Sequence, residues 1–333
     1  MFIVKSYSLA IAMCIITMLC WGSWANTMKA TQKKWAFQLF YWDYSLGVLL
    51  LSLLLAFTAG SFGDEGRPFL HDLSMAQWEY VCYAFFAGVI FNLSNVLLVT
   101  VIDLAGMAIA FPIGVGLALV VGVVVGYIGD PVGDAILIFS GLVGVVLAII
   151  LSGVSYGKIP STGDKHVVKG ILISVVVGLV MGLFYPLLVK SLTKDLVNPE
   201  MGKLTPYTAI VLFALGLFLS SFIWNTFLMR KPLVGTKVGF KEYFTLGTSK
   251  DHSMGILGGI IWIIGFSFMT LAQDQAGTAI SYGLGQGATM VAAFWGVFIW
   301  KEFKTAPKSV NKLIVAMFLF YILGLSLLVL AKI

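Results

Sequence analysis

The sequence predicts an all-α integral membrane protein of ten transmembrane helices, arranged as two inverted five-helix repeats. Three observations carry this. Of the 333 residues, 59% are hydrophobic and 11% charged, against about 25% charged in a soluble domain. Apolar runs of roughly 18 to 25 residues follow one another with short polar breaks, each long enough to cross a hydrocarbon core. The chain also repeats itself: Gly88 to Gly126 lines up without a gap on Gly259 to Val297, so that Asp103, Ala105, Gly106, Ala108, Ile109, Gly114 and Gly116 fall on Asp274, Ala276, Gly277, Ala279, Ile280, Gly285 and Gly287.

The first expected span, Ser6 to Met28, follows Lys5 and could pass for a signal peptide ending at Ser23-Trp24-Ala25. Its apolar run is long enough to span, however, and it closes on Trp21-Gly22-Ser23-Trp24, which aligns with the end of the sixth span at Phe184-Tyr185-Pro186. A retained helix is therefore expected. The second, Ala36 to Ala59, begins after Lys33 and Lys34 and contains Asp43; the third, Met75 to Val101, contains Asn92 and Asn95. The fourth, Met107 to Ile128, is interrupted by Phe111-Pro112-Ile113-Gly114-Val115-Gly116, and the fifth, Ala135 to Ser155, is almost wholly apolar. After a central loop come Val167 to Lys190, Leu204 to Leu228 with Asn225, and His252 to Leu271. The ninth span, Gly277 to Trp300, carries Tyr282-Gly283-Leu284-Gly285-Gln286-Gly287 at the place matching the Pro112 stretch, and Val310 to Ala331 is the tenth. Asp103 and Asp274, each just before an Ala-Gly pair, are expected to cap the helices that follow. The division expected is 1–155 for the first repeat, 156–166 for the central cytoplasmic loop and 167–333 for the second repeat.

Five crossings per repeat is an odd number, so the two copies sit in opposite orientations about an axis in the membrane plane. One half can then imitate the other's conformation, which brings inward-open and outward-open states close in energy, as a carrier requires. Of the 21 lysines and arginines, 15 fall in the loops after odd-numbered spans, among them Lys29, Lys158, Lys241 and Lys304. By the excess of basic residues in cytoplasmic loops, both termini lie outside the cytoplasm, in a plasma (inner) membrane protein. The basic balance is thus a topology signal, and no basic cluster interleaved with aromatics points to nucleic acid. The loop from about Met229 to Asp251 is too short for a folded domain and reads as a connector with an amphipathic stretch lying on anionic lipid.

Cys14, Cys20 and Cys82 all lie inside spans, where they serve as packing residues rather than a disulfide or metal set. His71, His166 and His252 fall at loops or span ends, and no cluster has metal-ligand spacing. Neither a metal nor another cofactor is expected. Membrane catalysis would need convergent acid-base or metal groups that this chain lacks.

Some intramembrane residues resist explanation as packing. Asp43 lies nine residues past Lys34, roughly 13 Å into its span at 1.5 Å per residue, with no basic partner in its own helix. A carboxylate there costs about 2.5–3.5 kcal/mol even on the forgiving insertion scale, which makes Asp43 the candidate proton-coupling residue. Asn92, Asn95 and Gln286 carry amides that hydrocarbon cannot satisfy and should face the protein interior, suited to a neutral, hydrogen-bonding solute. Paired interruptions in two halves point to a central site, which adds Pro112, Tyr282 and, in span 6, Tyr185. Trp21 and Trp24 supply flat faces near the end of span 1.

Trp21-Gly22-Ser23 closing the first span, Asp43-Tyr44-Ser45 inside the second, and ten spans with basic odd-numbered loops resemble the ureide permeases of the drug/metabolite transporter superfamily; the neighbouring glucose/ribose porter group is similar. The resemblance implies proton-coupled uptake of a small neutral solute such as a ureide or a purine or pyrimidine nucleobase, with Trp21 and Asp43 on the motif positions. Amides and aromatics bind sugars equally well, so an ion-coupled sugar porter stays open. One departure is visible. Plant ureide permeases are described with a nucleotide-binding-like stretch in the central loop, whereas Gly153-Val154-Ser155-Tyr156-Gly157-Lys158-Ile159 is one residue short between its glycines and has Ile where a Ser or Thr would hold magnesium. Small solute, protons and lipid are the expected partners; oligomeric state is left open.

Overall fold

The computed structural model describes residues 1–106, 109–159, 167–233 and 235–333. Met107, where the fourth span was expected to begin, and most of the central loop, with Lys165 and His166, lie outside them. Among the described residues ten helices are long and apolar enough to cross a bilayer: α1 (Tyr7–Lys29), α2 (Phe37–Phe57), α3 (Trp78–Ile102), α4 (Ala110–Gly129), α5 (Ala135–Gly157), α6 (Val168–Ser191), α7 (Pro206–Arg230), α8 (Ser249–Ala276), α9 (Thr278–Ile299) and α10 (Val310–Leu330). Among the described residues there is no β-strand, and an isolated bridge joins Leu192 to Leu204.

Local chemistry sets several of the starts. The Ser6 hydroxyl accepts the Leu9 N–H, and the Asp134 carboxylate accepts that of Leu137. Thr248 and Asp251 form a reciprocal capping box, which pulls the start of α8 to Ser249, upstream of the expected His252.

The packing treats the two halves alike. Helix α3 lies against α6 and α7 while α8 lies against α1 and α2; α4 rests on α6 and α9 on α1; α5 and α10 pair with each other. Exchanging the first five helices with the last five maps every one of these contacts onto another or onto itself. The backbone repeats as well. A Cβ on Gly88 of α3 would run into the Phe213 carbonyl of α7, and a Cβ on its repeat partner Gly259 of α8 would run into the Tyr44 carbonyl of α2. Both glycines let two backbones touch, the packing mode of helices that gain nothing from burying apolar surface in lipid.

Gly106 and Gly277 share φ of 84° and 83°, a conformation that L side chains avoid. They correct one expectation. The helical backbone continues to Ala105 and Ala276 before these glycines end it, so Asp103 and Asp274 lie in the last turn of the preceding helix and not at the start of the next. The N-terminus of α9 is served by Asp130 from the α4–α5 connection, which accepts from the Thr278 N–H at 3.3 Å and its hydroxyl at 3.1 Å. The expected interruptions are present at matching places: α4 widens into π-helical turns over Ala110–Val115, and α9 breaks at Gly287, the partner of Gly116.

Each end of the bundle is fastened. At the end holding the termini, buried Arg67 donates to Asp72 at 2.6 Å and to the Lys203 carbonyl, while Asp72 accepts from Thr205. At the other end Lys29 pairs with Glu302 at 2.9 Å, and Tyr156 donates to the same carboxylate.

Candidate functional site

A cavity of about 300 Å³ opens among α1, α3, α4, α6, α8 and α9, toward the end of the bundle that carries the loops after odd-numbered helices. Its walls are aromatic. The Trp21 ring stacks flat on Trp262, centroids 5.5 Å apart at 9°, and donates its indole N–H to the Trp262 carbonyl at 3.1 Å. Phe91 lies against the same indole at 4.5 Å, and Trp24 leans on Tyr44 at 4.8 Å. Two amides, Asn95 and Gln286, enter this lining from α3 and α9.

Beneath it lies a closed layer. Phe184, Phe213, Phe266 and Trp262 pack ring on ring, and Tyr185 stacks on Tyr282 at 5.5 Å and 15°. A second cavity, about 440 Å³, opens on the far side toward the termini, lined by Asp130, Lys190, Lys194, Gln273 and Thr278 among others. The order is the same along four helices. On α6 it runs Met181, Tyr185, Lys190; on α8 Trp262, Phe266, Gln273; on α9, read backwards, Gln286, Tyr282, Thr278; on α4 Val115, Ala118, Val125. On α4, α8 and α9 the two linings stand about two to three helical turns apart, while on α6 they close to Phe184 and Pro186 on either side of Tyr185, and the two openings face opposite ends.

Of the residues expected at a substrate site, Trp21, Trp24, Asn95 and Gln286 share the first cavity. Pro112 is not part of its lining, though the neighbouring Phe111 is, and Tyr185 and Tyr282 belong to the layer. Asn92 is fully buried one turn from Asn95, spending its amide on Tyr41, Ser220 and Ser221. Asn225 ties α7 to the Gln38 carbonyl of α2.

Asp43 is elsewhere. Since α2 begins at Phe37, Asp43 sits about 9 Å into the helix at 1.5 Å per residue, shallower than the depth counted from Lys34. It is buried and fully engaged: the Tyr243 hydroxyl donates to one oxygen at 2.6 Å, and His252 Nδ1 lies 2.8 Å from the other. Tyr243 comes from a short helix, Phe240–Leu246, in the α7–α8 connection; Phe240 and Phe244 on that helix are exposed. Burial and the neighbouring carboxylate push the Tyr243 phenol well above its ordinary range, so it stays a donor. A Cβ on Gly255, one turn after His252, would collide with the Asp43 Cβ, so Asp43 lies along the seam where α8 and α2 approach closely.

Trp262, Tyr243 and His252 went unmarked in the sequence reading. Trp262 had a signal, since an indole in the middle of α8 is too deep for an interfacial belt. The Asp43–His252 pair had none, because its members are 209 positions apart. The nucleotide-binding-like stretch also changes meaning. Gly153–Gly157 form the last turn of α5, where backbone N–H groups serve helix bonds and are not free to hold phosphate.

A family model described as ureide permease matches residues 40–159 and 158–331. The chain belongs to that family. Ureide permease 1 and ureide permease 2 of Arabidopsis thaliana are each 22% identical to it, over 385 and 393 residues, with 98% of this chain and 98% of each relative covered. Ureide permease 5 of the same plant is 22% identical over 397 residues, 98% of this chain and 95% of its own length. This ureide permease family member is thus a multi-pass membrane transporter, matched to its relatives nearly end to end.

Proposed function

We propose that this transporter is a secondary active carrier for a small neutral ring bearing N–H and C=O groups, of the ureide or nucleobase kind. It works by alternating access and couples to protons through Asp43. The observation that best supports alternation is the pair of cavities opening at opposite ends of one aromatic layer. The relatives' names support ureides over sugars.

The solute lies on the face offered by Trp21 and Trp262, with Asn95 and Gln286 meeting its polar edge; an indole face suits a flat unsaturated ring. The two repeats, 1–155 and 167–333, exchange conformations about the layer, which opens toward one cavity as it closes toward the other. Protonation of Asp43 removes the charge that holds Tyr243 and His252, loosening the α2–α8 seam and the loop helix together. In this reading the basic-loop end faces the cytoplasm of a plasma (inner) membrane and the termini lie outside. The test is thermal stabilisation of the purified protein across allantoin, uracil, xanthine, glucose and ribose, joined to counterflow in proteoliposomes. Stabilisation and trans-stimulated uptake by ureides or nucleobases support the proposal; sugars acting alone in both assays refute it.

A further inference from the structure

Asn95 lines the cavity, yet it is almost wholly buried and one branch of its amide is already committed: its Nδ2 donates to the Tyr41 hydroxyl at 3.1 Å. Tyr41, fully buried, donates in turn to Asn92 Oδ1 at 2.8 Å. Asn92 Nδ2 donates to Ser220 Oγ at 2.7 Å and Ser221 Oγ at 3.2 Å, and both serine hydroxyls donate to the Leu217 carbonyl. The amide orientations follow from counting donors and acceptors along this chain. With Asn92 as described, both its N–H groups meet serine oxygens and its carbonyl meets a phenol proton. Turned over, its oxygen would take the two serine protons, but its nitrogen would face Tyr41 alone. One N–H of a fully buried residue would then have no acceptor, the arrangement buried polar groups avoid. Donation therefore runs one way, from Asn95 through Tyr41 and Asn92 to the serines, and it commits one Asn95 N–H to Tyr41 while leaving the carbonyl oxygen, with the second N–H, for the cavity that Asn95 lines.

We infer that Ser220, Ser221, Asn92 and Tyr41 act as a polarity relay that fixes the orientation of the Asn95 amide and keeps its carbonyl oxygen available as an acceptor in the cavity, so the site selects a solute that presents an N–H to that oxygen. This rests on the carrier reading above and deepens it: a ureide or lactam N–H fits, and an ether oxygen or ring carbonyl at the same position meets a like dipole. Tyr41 and Asn92 touch no substrate in this scheme; they are positioning residues.

The experiment uses the purified full-length chain in proteoliposomes exchanging labelled allantoin. The competitors are hydantoin, its oxa analogue with a ring oxygen in place of one N–H, and its derivative methylated at the imide nitrogen. The wild type should disfavour at least one of the two analogues by about tenfold or more, because a site built to bond a donor rejects the analogue without it. In Tyr41→Phe, which keeps the ring, and separately in the Ser220→Ala/Ser221→Ala pair, the Asn95 amide is free to turn. The disfavoured analogue should then come within about threefold of hydantoin, gaining affinity as its oxygen meets N–H. Wild-type indifference to both analogues, or unchanged discrimination in both variants, overturns the relay. If allantoin and hydantoin do not bind at all, the carrier's substrate reading fails instead, and the relay is decided without ligand. Unfolding midpoints of Tyr41→Phe, the serine pair and their combination should be less than additive, since the hydrogen bonds of Tyr41 and of the serines meet at Asn92; strict additivity overturns it.

Discussion

Replacing Asp43 by Asn removes one charge from a site that supplies two donors. Tyr243 keeps an amide oxygen to bond, and His252 takes the tautomer with a lone pair on Nδ1 to accept from the new NH2 group, so the geometry at 2.6 and 2.8 Å survives. A hydrogen bond to a charged group contributes about 1.5–3 kcal/mol and a neutral one about 0.5–1.5. Two bonds therefore lose about 2–3 kcal/mol together, and the His252 half of this is reduced by water, since that side chain is 29% exposed. Asp43→Leu, which strands both partners, should cost about 3–5 kcal/mol, the range for breaking a buried pair. The assay combines thermal unfolding with two transport modes in proteoliposomes. The Asn variant should stay folded, exchange solute for solute, and fail to concentrate it against a gradient when driven by pH. Normal accumulation by the Asn variant would move coupling away from Asp43. Loss of exchange together with accumulation, in a protein that still unfolds cooperatively, would make Asp43 a packing group.

Trp21→Ala should weaken solute binding more than Trp21→Phe, which keeps a ring to stack on Trp262, and Gln286→Ala should cost about 1–3 kcal/mol by leaving a bound polar group unpaired; binding constants unchanged in both alanine variants would remove these residues from the site. Gly259→Leu should block assembly, because no side chain fits against the Tyr44 carbonyl, whereas exposed Leu54→Ala on the outer face of α2 should not; equal yields of folded protein would refute the backbone-contact argument. Cysteine labels at Lys241 should react only from the cytoplasm and labels at exposed Phe62, near Arg67, only from outside; the reverse pattern would invert the topology.

The ten helices were legible because hydrocarbon imposes one rule on every span, and the matching backbone positions because Gly88, Gly106 and Gly116 reappear as Gly259, Gly277 and Gly287. The π-helical turns around Pro112 and the break at Gly287 were readable from the same repeat. Asp103 and Asp274 were misread because an aspartate before Ala-Gly looks like a cap, while the positive φ of the following glycine lets the earlier helix run on past it. In the site, Trp21, Asn95 and Gln286 stood out as polar or aromatic groups at depth. What the sequence could not convey was partnership. Asn92 and Asn95 have the same composition signal, and only the packing of α2 and α7 beside α3 separates the amide that faces the cavity from the one that orients it. Likewise His252 reads as a span end until the capping box at Thr248 starts α8 early and brings it to Asp43.

The claim on which the account turns is that two cavities open in alternation across the layer of Phe184, Tyr185, Trp262 and Tyr282. Single cysteines at Ala292, in the first cavity, and at Lys190, in the second, would be introduced into a chain with Cys14, Cys20 and Cys82 replaced, and their reaction rates with a membrane-impermeant thiol reagent followed from each side. Adding solute and reversing the pH gradient should raise one rate while lowering the other. Two rates that rise together would describe a pore, and two that never change would describe a fixed scaffold; either result would contradict the account.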